Sequence, residues 1–373
     1  MSTRHSPQIT AVSRPVRPID AAAADHWILL GFILLLAFVM RARDLNFATA
    51  YMDESIYVNY GRMFLSGHYQ WPLDHPLRWT WGWYLWPAMA AIADWAGSLA
   101  GVRALAAVLG VVTVGGVFGF ARRLFSPGVG LGSALVLALL APAVFSSRIA
   151  TRDCASLAFL ALGLWAYAAA WKDNRTLQWL ACAAALMAAF LCKYLVAIFF
   201  PVLLLLALRK GWKPLLALGL PLTAACALYA YVYRGDLAHL LGYGRQYQQL
   251  QITDPHLLWQ NYVSGRADVW IVGALALIGT PFLVRKYAWN VLLMWLCVAA
   301  FAFFQYRTRA DYDYWKHAAY PLLFLTPLAI AGLFIAVQRW LRFPLARTLL
   351  VVVLALGLAW VGHAWSMDRF VFW

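Results

Sequence analysis

The stretch WTWGWYLWPAMAAIADWA, residues 79–96, decides how this chain is threaded. It is apolar enough to enter a bilayer, yet it opens with a Trp and Tyr cluster of the kind that settles at headgroup level. On both sides of it lie apolar runs of about 15 to 21 residues joined by short polar connectors. Of the 373 residues, 64% are hydrophobic and 12% charged. Soluble proteins carry about twice that share of charge. The pattern is that of an all-α polytopic membrane protein.

The first span is read at 27–40. Its length and the Ala48-Thr49-Ala50 triplet resemble a signal peptide, but Arg41, Arg43 and Asp44 intervene, so it is retained. Further spans are expected at 101–121, 128–147, 154–171, 177–192, 194–208, 213–233, 268–284, 289–304, 318–337 and 346–362. If 79–96 lies at the interface or dips in and returns, and the N-terminus is inside, five basic clusters share the cytoplasmic face. These are Arg122/Arg123, Lys172/Arg175, Arg209/Lys210/Lys213, Arg285/Lys286 and Arg339/Arg342/Arg347. If it crosses, they contradict the basic N-terminal tail. The expected architecture is therefore about 11 transmembrane helices with a long first extracytoplasmic loop carrying interfacial (juxtamembrane) helices.

The regions follow from this threading. Residues 1–26 form a disordered cytoplasmic tail, and 27–362 a transmembrane domain with extracytoplasmic loops at 42–100 and 234–267. Residues 363–373 form a short outer end, which belongs to a short form or to a truncated chain. The formal charge of +15 fits cytoplasmic loops and lipid headgroups better than nucleic acid, for want of a basic-aromatic patch on a soluble domain. Cys154, Cys182, Cys192, Cys226 and Cys297 lie in or beside apolar runs without a CxxC pair, which excludes a disulfide framework.

Under this threading the ionisable residues gather at the outer face. YMDESIYVNYGRMFLSGHYQWPLDHP, residues 51–76, sets Asp53 beside Glu54. One reading makes Asp53 the cap of a helix whose stripe Ile56, Tyr60, Met63 and Phe64 lies in the interface. SSRIATRDCASLAF, residues 146–159, brings Asp153 to the same depth, either as a second cap with Arg148 and Arg152 snorkelling or as a second acid of one site. Two acids converging from separate loops suit general-base chemistry or a cation held beside a phosphate. Lys193 interrupts two apolar runs, marking a tight turn or reaching a lipid phosphate. RTRADYDYWKHAAYP, residues 307–321, sets Arg307, Arg309, Lys316 and His317 among acids and aromatic rings. That mixture suits either a phosphate leaving group or anionic headgroups. His75 reads as a loop histidine.

In these residues the chain resembles the GT-C superfamily of membrane glycosyltransferases, nearest its protein-mannosyltransferase and lipid A aminoarabinose transferase-like branch. The resemblance rests on the DES-x-Y-x-x-x-x-R-x-x-x-S-G run from Asp53 to Gly67, on His75-Pro76 and on Ala100-Gly101-Val102-Arg103. It continues through the Arg152-Asp153 loop, Lys193 and the basic, aromatic segment before Pro321. It implies inverting transfer of a sugar from a polyprenyl-phosphate carrier to a hydroxyl acceptor at the periplasmic face of a bacterial inner membrane. Asp53 would be the general base, with Glu54 beside it, and Asp153 would position substrate or, with Asp53, a metal. His75, Arg152, Lys193, Arg307, Arg309, Lys316 and His317 would serve the donor phosphate, although relatives often carry Lys where this chain has His75. The implied partners are the bilayer, the lipid-linked donor and an acceptor protein, glycolipid or glycan, with no nucleic acid. A divalent metal is compatible but not required. The competing classes are a transporter or flippase of a lipid-linked sugar, and a structural or assembly protein. Span interiors almost free of charge count against the former.

Overall fold

A computed structural model describes residues 21–67, 85–235, 267–308, 314–340 and parts of 349–364. Among these every regular element is helical. The chain runs through α1 (Ala21–Ala42), α2 (Met52–Ser66), α3 (Leu85–Leu124), α4 (Pro127–Leu139), α5 (Ala141–Arg148), α6 (Arg152–Asp173) and α7 (Thr176–Cys192). A 3-10 turn (Tyr194–Phe199) leads to α8 (Phe200–Leu208), α9 (Trp212–Val232), α10 (Ala267–Thr308), α11 (Tyr314–His317) and α12 (Ala319–Trp340).

Helix α3 is two helices joined at a kink, where Gly97 and Ser98 leave the helical region and Ser98 takes φ 54°. Residues 85–96 make a helix of only about 18 Å, short of the ~30 Å hydrocarbon core. The Arg122 guanidinium stands 4.7 Å from the Trp27 ring, so the start of α1 and the end of α3 occupy the same end of the bundle. Between those points lie α1 and the 99–124 half of α3.

The same end collects further basic residues. Arg123 pairs with Asp173 at 3.4 Å, Arg209 lies 3.5 Å over Trp289, and Lys210 lies 4.7 Å from Trp171. The Asn290 amide donates to the Leu124 carbonyl at 2.8 Å. The charge clusters separated in sequence thus meet in space.

Five described helices are long and apolar enough to cross a membrane, or six when α4 and α5, bent by 61°, count as one broken span. The uninterrupted span expected at 128–147 is this bent pair, with Pro142 in the first turn of α5. The spans expected at 268–284 and 289–304 are the two halves of α10, two helices joined at a kink at Tyr287. The last expected span lies largely outside the described residues. The core sits where α3, α6, α7 and α12 meet, with Phe324 against Phe120 and Phe199 at centroid distances of 6.4 and 5.2 Å. Helices α10 and α12 touch backbone to backbone. A Cβ on Gly332 would lie 2.4 Å from the Gly279 Cα, the close approach that small residues allow between membrane helices.

Candidate active site

Helix α2 opens with Asp53 and Glu54 in its first turn, where acids favour the positive end of the helix dipole. Neither acid is the N-cap. That position is Tyr51, whose N–H donates to Glu54 Oε2 at 2.9 Å, so the expected cap at Asp53 is corrected. Asp153 likewise is not a cap, since α6 is capped at Thr151. The helix ends at Gly67, whose φ of 68° suits glycine. Its face toward the protein is Glu54, Tyr57, Val58 and Gly61, while the expected stripe of Ile56, Tyr60, Met63 and Phe64 stays partly exposed. Gly61 lets the helix rest on residues 85–96, because a Cβ there would fall 1.9 Å from the Pro87 carbonyl oxygen.

Glu54 is wholly buried, and its carboxylate has no open edge. Arg103 donates from Nε to Oε1 at 3.0 Å and from Nη2 to Oε2 at 2.8 Å. The Ala150 N–H donates to Oε1 at 2.9 Å. The remaining Arg103 hydrogens go to the carbonyls of Leu45, Ala48 and Thr49 at 2.8 to 3.1 Å. Arg103 is only 1% exposed, because a buried guanidinium with every donor used no longer needs water. This pair fastens the 45–51 segment, the start of α2 and the loop before α6 to one point. Asp53 is the neighbour of Glu54, and Asp153 follows Ala150 by three residues, so one fastening sets both acids.

The acids also share a partner segment. Lys316 of α11 donates to Asp53 Oδ2, and its ammonium lies 5.6 Å from the Tyr51 ring. Four residues on, the Tyr320 hydroxyl donates to Asp153 Oδ1 at 3.1 Å. Lys193 donates to the same oxygen at 2.6 Å, from the extended residue that breaks α7 from the 3-10 turn. The two lysine pairs differ in access. Asp53 and Lys316 are 17% and 14% exposed, whereas Asp153 and Lys193 are 1% and 5%. Lys193 is therefore buried against Asp153.

Tyr57 lies between the two pairs. Burial pushes its hydroxyl above the ordinary tyrosine range, with Asp53 and Asp153 adding to the rise and Arg152 and Lys316 opposing it. The Arg152 guanidinium stands 5.7 Å from its ring. His317 is buried, with Nδ1 2.7 Å from the Gln305 amide nitrogen. Arg148, expected to snorkel, is 7% exposed and donates to the Arg43 carbonyl at 2.9 Å. Arg307 is exposed at the end of α10. His75 and Arg309 lie outside the described residues.

Among the described residues no three His, Cys, Asp or Glu side chains converge as metal ligands would. Asp53 and Asp153 each already face an ammonium, a poor setting for a divalent ion. The cysteines are all free, and only Cys226 is not fully buried.

Residues 74–233 match the family model described as dolichyl-phosphate-mannose-protein mannosyltransferase. That stretch contains Arg103, Asp153 and Lys193 and begins after Asp53. Among solved structures, the Archaeoglobus fulgidus oligosaccharyltransferase tethered with an acceptor peptide superposes at a TM-score of 0.61 and 12% identity. The match covers 94% of this chain and 55% of that one. The chain resembles the GT-C glycosyltransferases. A second archaeal GT-C structure, AglB from Archaeoglobus fulgidus in complex with an inhibitory peptide and a dolichol-phosphate, gives 0.59 at 11% identity over 92% of this chain and 56% of that one. ArnT from Cupriavidus metallidurans bound to undecaprenyl phosphate gives 0.48 at 16% identity over 94% and 76%. No curated protein matches in sequence. The chain thus spans little more than half the length of the archaeal GT-C structures.

Sequence reasoning missed Tyr57 and Tyr320 as site residues and Arg103 as the partner of Glu54. Tyr57 carried a signal, since it follows Asp53 by four residues and so shares its helix face. Tyr320 precedes Pro321 in an apolar run and carried none.

Proposed function

We propose that this chain is a membrane glycosyltransferase that moves a sugar from a polyprenyl-phosphate carrier to a hydroxyl acceptor with inversion. The observation that carries this reading is the joining of Asp53 and Asp153 through Lys316 and Tyr320 at one end of an apolar helix bundle. A carrier's phosphate cannot leave headgroup depth, so a site for it must gather cations and a base there, on one face. The fold shared with archaeal structures, one of which holds a dolichol-phosphate, supports the same substrate class. We place the site at the periplasmic face of a bacterial inner membrane, with the N-terminus in the cytoplasm.

In this reading Asp53 is the general base, being the more accessible of the two acids. It takes the proton of the acceptor hydroxyl as that oxygen bonds to the anomeric carbon. The bond from that carbon to the carrier phosphate breaks, and the phosphate leaves with the electron pair. Lys316, released from Asp53 as that acid is protonated, turns to the leaving phosphate together with Arg152. Fixed positive charge where negative charge develops is a large part of such catalysis. Asp153, sealed against Lys193 and Tyr320, positions the cationic wall and exchanges no proton. Glu54 and Arg103 position Asp53. Arg307 and His317, with His75 and Arg309, are candidates for longer-range contact with the donor.

The test is mass spectrometry of glycolipids and glycoproteins from cells carrying the wild type or Asp53→Asn. Loss of one sugar mass in the variant, with the protein still in the membrane, is the expected result. An unchanged glycan profile removes Asp53 as the base. For a transporter of a lipid-linked sugar, cysteines placed at 53 and 153 would become accessible from both membrane faces in turn.

A further inference from the structure

At the end of the bundle opposite the acids, a groove of about 900 Å³ opens between the start of α1, the end of α3, the start of α4 and the end of α6. Its walls are apolar, with Leu30, Leu34, Val112 and Leu162 facing the space beside Gly115. That space is open: a Cβ on Gly115 would meet only Leu34, at 3.8 Å. One turn on, by contrast, Gly119 is filled by Trp165 at 2.5 Å.

The rim carries Arg122, Arg123 and Lys172. Asp173 lies beside the rim, takes Arg123 at 3.4 Å and also feels the charges of Arg175 and Lys172. Arg122 stands instead over two rings, Trp27 at 4.7 Å and Phe118 at 5.8 Å, which orient the guanidinium without neutralising it. The rim also lies at the right depth. Lys172 and Arg152 close opposite ends of α6, about 30 Å apart along the helix, which matches the hydrocarbon thickness of ~30 Å. The rim therefore meets the headgroups of the leaflet opposite the acidic site.

We propose that this groove holds an anionic phospholipid of that leaflet, with its phosphate at Arg122 and Lys172 and one acyl chain against Gly115 between α1 and α3. An apolar slot beneath a rim of net positive charge is complementary to such a lipid in both shape and charge. The chain's own N-terminal segment is a poor occupant, because its Arg4, Arg14 and Arg17 would face the same cations. The lipid braces α1 against α3 and α6, and the other ends of α3 and α6 carry Arg103 and Arg152 to the acidic site.

The test is titration of phosphatidylglycerol or phosphatidylcholine into micelles of the full chain, read by native mass spectrometry. Phosphatidylglycerol should be retained in preference to phosphatidylcholine. Arg122→Gln should weaken it about fivefold and Arg122→Gln/Lys172→Gln about 25-fold, each cation near the surface contributing about that factor. Gly115→Leu, which fills the slot and leaves the rim intact, should abolish retention without lowering the melting temperature. Arg123→Gln, whose charge Asp173 already engages, should change affinity less than either. Millimolar inorganic phosphate should not displace the lipid. Four results would each overturn the proposal: equal retention of both lipids, binding that survives Gly115→Leu, displacement by phosphate alone, or cross-links from the N-terminal segment into the groove. No arm reads sugar transfer, so this idea and the proposed activity stand or fall separately.

Discussion

Lys316 and Tyr320 lie four residues apart and hold carboxylates from two different helices, Lys316 on Asp53 and Tyr320 on Asp153. A short helix and the first turn of the next therefore act as a clasp on both acids. Moving this segment would change the charge facing each acid at once.

Under the proposed function, Lys316→Ala should leave Asp53 intact as the base but remove the cation proposed to meet the leaving phosphate. Transfer should fall by about 10²- to 10³-fold, in the range seen when one electrostatic stabiliser is lost. Asp53→Asn should fall at least as far. A radiolabelled lipid-linked donor assay on both variants checks this; a Lys316→Ala enzyme near wild-type rate would remove the lysine from the chemistry.

Truncating either member of the Glu54–Arg103 pair strands a buried charge. Arg103→Met should cost about 3 to 5 kcal/mol, read as a lowered thermal midpoint in detergent. Arg103→Lys should recover little, since an ammonium cannot make two parallel bonds to the carboxylate and reach three carbonyls. Equal stability of the Lys variant and the wild type would show that the fork geometry is not needed.

Asp153 and Lys193 are sealed from solvent, so the pair should be worth less than its members are dangerous alone. Asp153→Asn and Lys193→Met should each destabilise by about 3 kcal/mol or more, and the double variant by less than either. A double-mutant cycle of melting midpoints measures the difference, and additive losses would refute the coupling.

Gly61→Leu should lift α2 off residues 85–96, because even a Cβ there overlaps the Pro87 carbonyl. A displaced α2 carries Asp53 with it. The variant should insert normally yet lose transfer by about 10²-fold, the scale of a 1 Å misplacement of reacting groups. Wild-type turnover in Gly61→Leu would mean that α2 is free to shift without consequence.

Much of the plan was legible where local chemistry writes it. Basic residues marked one end of the bundle, where Arg122 meets Trp27 and Arg123 meets Asp173. Lys193 marked a real break in the helix. Hidden were the side chains that meet across distance. Glu54 and Arg103 are 49 residues apart, and nothing local tells a buried, fully bonded arginine from one that reaches for water. The adjacency of Asp53 and Glu54 suggested a shared role, yet successive helix residues point about 100° apart, one toward Lys316 and the other into the protein. Bends such as that at Leu140 stayed hidden because apolar composition continues unbroken through them.

The distance along the chain between Asp53 and Lys316, 263 residues, also orders events in time. At typical synthesis rates, roughly 13 to 53 seconds pass between the emergence of the two from the ribosome. Glu54 can find Arg103 early, while Asp53 waits for the nascent protein to be nearly finished. Closure of the acidic site is therefore a late product of biogenesis, and interrupted translation before Lys316 should yield membrane-inserted fragments that lack the clasp on Asp53.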